Sequence, residues 1–316
     1  MLQNTESLNR SITVKKPAKM KQAKKMWVLY VFLIVPIAAI FVFNYMPMYG
    51  ILLAFKDYKI RDGIWNSQWN NFAHFKMLFQ SYNFLRVLRN TLIISLQRIL
   101  IGFPAPIIFA FMLNEITHMR YKKIVQTISY LPHFISWVVL GGIISEVLSP
   151  QRGIVNYIIT SFGGEPIYFL TSKRLFRPIL ILTNIWQSIG WSSIIYLASL
   201  AAINPNLYEA AEMDGANRIQ KAWHISLPSI LPVVTIMFIL RLGKVLNAGF
   251  DQIFNLYNPL VYEVADIIDT YVYRVGIIDA RYDFTTAVGL FKNVIGVTLI
   301  LITNRIVKSY SEYGIW

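Results

Sequence analysis

Six long apolar runs bound what this chain can become more tightly than any single motif. The first extends from Trp27 to about Tyr49; the others cover about 90–114, 124–148, 178–202, 231–250 and 285–305. A helix needs about 20 apolar residues to cross a bilayer core, because lipid offers no partner to an unbonded backbone group. Of 316 residues 55% are hydrophobic and the mean hydropathy is +0.48, too apolar for a soluble domain of this length. The expectation is an all-α polytopic membrane protein with six transmembrane helices. The first run exceeds the ~7–15 residues of a signal-peptide core and ends in Asn44-Tyr45-Met46-Pro47, so it reads as an uncleaved span.

Residues 1–25 are polar and hold Lys15, Lys16, Lys19, Lys21, Lys24 and Lys25. They read as a basic cytoplasmic tail, with residues 26–316 as the transmembrane domain. Basic residues stay inside, so six spans place both termini in the cytoplasm of a multi-pass cell-membrane protein. The loop with Arg120, Lys122 and Lys123 then lies inside, and the loops at about 51–89, 149–177 and 251–284 lie outside. Phe55, Trp65, Trp69, Phe72 and Phe75 form either an outer cap or plain surface at the lipid boundary. The net charge of +14 is read as membrane topology and as room for an anionic substrate, not as a nucleic-acid footprint. Cysteine is absent, and His74, His118, His133 and His224 are too far apart for a local metal motif.

Between the fourth and fifth runs lies a polar island, Tyr208 to Pro232. Asn204-Pro205 offers a cap and a first helical residue, Gly215 a positive-φ stop after about two turns, and Asn217 a second cap. The second helix carries Ile219, Ala222, Trp223 and Ile225, and Pro228 and Pro232 suit the start of the next one. Glu209-Ala210-Ala211, Asp214-Gly215-Ala216, Leu227-Pro228 and Pro232 together resemble the EAA signature of ABC-importer permeases. The resemblance extends through Asn90-Thr91, Leu131-Pro132, Gly153-Ile154-Val155-Asn156, Thr286-Ala287-Val288-Gly289-Leu290-Phe291 and the closing Glu312-Tyr313-Gly314-Ile315-Trp316. It points to the sugar-importer permeases, most nearly the branch serving polysaccharide-derived oligosaccharides.

That resemblance implies the type I ABC-importer permease fold, with coupling helices at about 204–227. Glu209, Ala210, Ala211, Asp214, Gly215 and Ala216 would contact an ATPase subunit. It also implies a second permease subunit, two ATPase subunits and an extracellular solute-binding lipoprotein. The chain has no Gly-x-x-x-x-Gly-Lys-Ser/Thr run, so it would bind no cofactor itself, and ATP and Mg would sit on the partner ATPase.

Four basic residues fall inside the expected spans: Arg98, Arg241, Lys244 and Lys292. A charge at the bilayer centre costs about 2.5–3.5 kcal/mol on insertion scales and usually faces a cavity or a partner. Acidic residues are nearly absent from the spans, so these groups have no evident counter-ion in the chain. Carboxylates of a uronate-containing oligosaccharide are one answer; backbone carbonyls, water, the second permease or snorkelling are others. Asn184, Gln187, Ser188 and Trp191 share a helix face, and Asn247 and Asn293 accompany the basic residues. Amides and an aromatic ring suit a saccharide pathway, although such a stripe equally serves as helix–helix glue. Trp137, Trp186 and Trp191, taken singly, read as packing.

Two alternatives remain at this level. One is a permease for neutral oligosaccharides. The other is an enzyme: Asp214-Gly215-Ala216-Asn217-Arg218 is similar to the opening of the CDP-alcohol phosphotransferase signature. No Asp or Glu lies between Asp214 and Asp251, so metal ligands for that chemistry are lacking.

Overall fold

A computed structural model describes residues 26–310. The basic tail and the closing Glu312–Trp316 segment lie outside the described residues. The chain divides into two compact units at Leu52 and Leu53. In the first, helix α1 (Trp27–Phe55, which runs on into the second) is apolar on every side, and no side chain from Trp27 to Tyr49 is buried.

The second unit is helical apart from one short antiparallel ribbon, β1 (Lys56–Asp57) against β2 (Gln68–Trp69). Helix α2 (Ala73–Gln80) leads into α3 (Tyr82–Asn114), a single span interrupted by a π turn at Arg98–Gly102. Next come α4 (Met119–Phe134) and α5 (Trp137–Val147), then α6 (Ile154–Ser161) and the long α7 (Phe176–Ala201). Helix α8 (Pro205–Met213) precedes α9 (Arg218–Gly243). After α10 (Phe250–Leu256), α11 (Tyr262–Ala265) and α12 (Ile268–Val272), the chain ends in α13 (Tyr282–Tyr310).

Four described helices, α1, α3, α9 and α13, are long and apolar enough to cross a membrane. The expected third span is not one straight helix. Pro132 forces a short 3-10 turn, and α4 and α5 meet at 105°, so the pair counts as a fifth crossing only if taken together. Helix α7 has 26 residues, ample length. Thr183, Asn184, Gln187, Ser188, Ser192 and Ser193 dilute its apolar character, which keeps the count below the six expected. The fifth expected span also ends early, at Gly243 rather than residue 250.

Buried side chains form three clusters that fix how the helices stand. Ile94, Leu140, Ile144, Phe176, Leu180 and Ile253 join α3, α5, α7 and α10. Leu78, Phe84, Val87, Ile268, Phe284 and Val288 join α2, α3, α12 and α13. Ala110, Tyr196, Leu200 and Ile230 join α3, α7 and α9. Small residues permit close crossings: a Cβ on Gly190 would lie 2.2 Å from the Ser129 carbonyl oxygen, so α7 can approach α4 only with glycine there. Phe55, Phe72 and Phe75 pack together with centroids 5.2–5.8 Å apart, whereas Trp65 and Trp69 stay exposed.

Two of the short motifs away from the island, Asn90-Thr91 and the one ending in Asn156, act as struts. Asn90 lies two turns inside α3 and does not open it. Its amide donates to the carbonyls of Glu263 and Asp266 at 3.0 and 3.1 Å, and its oxygen accepts from Arg177 at 2.9 Å. Thr91 accepts from the Ile268 amide at 2.9 Å. Asn156 closes the 149–167 loop by donating to Ser149 and Ile167 and accepting from the Ile167 amide. Buried Asp266 takes the Arg274 guanidinium at 2.5 Å, which satisfies a charge that burial alone would disfavour.

Candidate functional site

Most of the expected site residues gather at two places, and the first is the α8–α9 junction. Asn204 accepts the Asn206 amide at 3.1 Å and Pro205 occupies the first turn, where a missing N–H is harmless. Helix α8 stops because Gly215 takes φ +78°. The Ala216 amide then reaches back to the Ala211 carbonyl at 2.9 Å and the Gly215 amide to Glu212 at 3.0 Å, the paired bonds of a Schellman stop. Asn217 and Gln220 bond each other's backbone at 2.9 and 2.8 Å, a reciprocal cap on α9. Lys221 ties back to Glu212 at 2.6 Å, and this bond and charge hold the Glu212 carboxyl below its ordinary range.

The corner leaves a cavity of about 290 Å³ lined by Ala211, Asp214, Gly215, Ala216, Lys221 and His224, among others. Glu209 and Ala210 are exposed beside it, as are the apolar side chains of Met213, Ile219 and Trp223. One expectation needs correction. Pro228 and Pro232 do not start a new helix: α9 continues unbroken from Arg218 to Gly243. A π turn at Ala222–Ser226 comes directly before Pro228 and loosens the ladder where the proline ring would crowd the preceding turn. The junction is therefore continuous with a membrane helix.

The second place is a cavity of about 780 Å³ where α3, α7 and the end of α9 meet. Arg98, Asn184, Ser188, Trp191, Arg241 and Lys244 line it, with Tyr196, Phe103 and Pro106. Trp191 is held by stacking on His133, with centroids 4.7 Å apart and rings 3° from parallel. Among the described residues no carboxylate lies within ion-pair distance of Arg98, Arg241 or Lys244.

Several expected pathway residues fall elsewhere. Gln187 is buried and turns toward α4, with its amide 3.5 Å from the His133 carbonyl, so it leaves the face of Asn184 and Trp191. Asn247, Lys292 and Asn293 line a separate cavity of about 200 Å³, which shares Lys244 with the larger one. Lys244 caps the end of α9 and does not continue a helical face with Arg241. Lys292 does have a counter-ion, Asp269, which α12 brings to α13 from 23 positions away in sequence. Arg98 also has a partner, the neutral amide oxygen of Gln252.

Sequence reading missed Gln252, Gly249 and Asp269, whose partners lie far along the chain. It also missed the approach of His74 to Asp57 and Asp283, at 3.7 and 3.4 Å. The ring of buried His74 lies 3.1 Å from the Lys56 carbonyl and ties the ribbon to the start of α13. These three side chains are metal-ligating types, where the sequence led to no metal site.

Membrane-length helices, an exposed capped corner in line with one of them and a polar cavity between three of them define a transport permease. The chain belongs to the family described as binding-protein-dependent transport system inner membrane component, matched over residues 102–311. It is 43% identical over 288 residues to protein LplB of Bacillus subtilis (strain 168), covering 91% of each chain. It is 44% identical over 274 residues to the polygalacturonan/rhamnogalacturonan transport system permease protein YteP of the same organism, covering 87% of this chain and 85% of that one. Among solved structures, a bacterial alginate ABC transporter in complex with an alginate pentasaccharide-bound periplasmic protein matches with TM-score 0.86 and 43% identity. That match covers 94% of this chain and 99% of the other. The family is one of transport components, and the phosphotransferase alternative is set aside on that ground.

Proposed function

We propose that this chain is the permease subunit of an ATP-driven importer of acidic, uronate-containing oligosaccharides. One observation carries the acidic reading: three basic side chains face one cavity that no carboxylate lines. In a low-dielectric space such charges are costly unless an anion, water or backbone group reaches them, and a carboxylate is attracted there more strongly than in bulk water. The names of two relatives run parallel to this. YteP is named for polygalacturonan, and a second matching structure, 44% identical with TM-score 0.85, is of a transporter that imports the acidic polysaccharide alginate.

In this reading the chain pairs with a second permease and two ATPase subunits, and an extracellular solute-binding protein delivers the sugar. Glu209, Ala210, Ala211, Asp214, Gly215 and Ala216 meet the ATPase. Closure of the ATPases rocks α9 through its continuous junction and exposes the cavity alternately to the two sides. Helix α7 and the α4–α5 pair complete six crossings, with both termini in the cytoplasm. Residues 26–316 form the permease domain behind the basic tail.

The test is reconstitution of the assembled transporter with its receptor and a panel of acidic and neutral oligosaccharides. Acidic sugars should stimulate ATP hydrolysis and uptake with the lower half-saturation. Equal or better response to neutral sugars would replace the acidic reading with the neutral one. Failure of the chain to co-purify with an ATPase subunit would remove the importer reading altogether.

A further inference from the structure

One of the three basic residues of the cavity is bonded to a side chain that does not line it. Arg98 lies on the π turn of α3 and is 5% exposed. Its described hydrogen bond goes to the Gln252 side-chain oxygen, and its Nε has no partner. Gln252, on α10, is 1% exposed. Its Nε2 donates to the Leu180 carbonyl at 2.8 Å and to the Thr183 hydroxyl oxygen at 2.7 Å. The Thr183 hydroxyl gives its own hydrogen to the Ile179 carbonyl at 2.6 Å, so toward Gln252 it only accepts. These bonds settle which way the amide points: nitrogen toward α7, oxygen toward Arg98. Gly249 closes the other side. It takes φ +88°, and a Cβ there would lie 2.2 Å from an Arg98 Nη.

We infer that Gln252 is a positioning and specificity-determining residue: it holds the Arg98 guanidinium at the cavity wall through a neutral oxygen and so leaves its charge for a substrate carboxylate. This rests on the acidic-sugar reading of the cavity and assigns the residue that sets its charge. A glutamate at 252 would reach Arg98 equally well. It would also neutralise the guanidinium and leave the Leu180 carbonyl without its donor. Glutamine anchors the guanidinium while keeping it cationic. A sugar carboxylate then finds a fixed, unneutralised partner, and a charge-assisted bond to it is stronger than the amide contact already in place.

The experiment compares Gln252→Glu, Gln252→Met and Arg98→Gln with the parent chain in the full transporter. Uptake is measured with a galacturonate oligomer and its methyl-esterified, uncharged counterpart. All variants share one receptor, so its own preference cancels when each is compared with the parent. For Gln252→Glu, the half-saturation for the acidic oligomer should rise about tenfold more than for the ester. Arg98→Gln should shift the preference in the same direction. Gln252→Met keeps the charge but frees the guanidinium, so the acidic preference should persist, weakened. If Gln252→Glu and Gln252→Met impair both sugars in parallel, the residue only packs, and the inference fails. If Gln252→Glu does not assemble, Arg98→Gln decides: an unchanged preference overturns the inference. A parent transporter with no acidic preference sinks the underlying functional reading instead, whereas a parental preference kept by Gln252→Glu sinks this assignment alone.

Discussion

The α8–α9 junction and the basic cavity are built by opposite means. The junction is made from neighbours in sequence. Its cap, stop and second cap lie between Asn204 and Gln220, and the bonds that make them span five residues or fewer; the Glu212–Lys221 tie and the Tyr208–Ser226 hydroxyl pair, 18 residues apart, then brace α8 against α9. The cavity is made from strangers. Arg98, Trp191 and Arg241 come from three helices, and the residue that positions Arg98 is 154 places away. A local device depends on backbone conformation, whereas an assembled one depends on charge and packing across helices. The two should therefore fail differently.

The largest effect is expected at Gly215. A β-branched residue there opposes a φ of +78° at a cost of about 1–3 kcal/mol. Gly215→Val should lower substrate-stimulated ATP hydrolysis about 5- to 150-fold in the assembled transporter, while the receptor still binds sugar. No atom lies within 4 Å of an added Cβ, so the strain lies in the backbone and not in a clash. Gly215→Asn, which tolerates the left-handed region, should recover most of the activity. Normal coupling in the Val variant would break the contrast between the two regions.

The cavity should respond by selectivity. Arg241→Gln and Lys244→Gln keep hydrogen bonding and remove charge. Each is expected to reduce uptake of acidic sugars about tenfold more than uptake of neutral analogues, about 1.4 kcal/mol of differential interaction. Equal losses for both sugars would make these residues structural. A smaller change is expected from Asn217→Ala, which removes the reciprocal cap at about 0.5–2 kcal/mol. Coupling should fall a few-fold with no change in sugar preference, and an altered preference would mean that the regions are not independent.

The smallest effect concerns pH. The Glu212 carboxyl titrates below its ordinary value because of Lys221. A depressed folded-state pKa gives a contribution present above the ordinary carboxylate range and lost as pH falls through the folded value. Coupling should therefore be flat across neutral pH, and Glu212→Gln should differ from the parent by less than about twofold at this exposed carboxylate. A strong pH dependence near neutrality that Glu212→Gln abolishes would show that the tie matters more than its exposure implies.

Much of the junction could be read directly. Asn204, Gly215 and Asn217 carry conformational preferences that act within one turn, and each does in the structure what its residue type favours. The prolines misled, because Pro228 suits a helix start as well as a helix eased by a π turn. Among the cavity residues, Arg98, Arg241 and Lys244 were legible as costly charges in apolar runs, and Asn184 and Trp191 as members of one helix face. Gln187 was not separable from Asn184 by helical spacing alone, and the Asp269 partner of Lys292 was hidden because it sits outside the span.

The sequence by itself determined that the chain is a membrane protein with a capped corner, since hydropathy and local backbone preference need no distant partner. Tertiary structure decided the rest: that α4 and α5 meet at 105°, that Lys292 is paired while Arg241 and Lys244 face open space, and that a neutral glutamine sits against Arg98. The physical reason is that burial and ion pairing are properties of neighbours in space. A buried charge becomes structural or functional according to which side chain the fold brings to it.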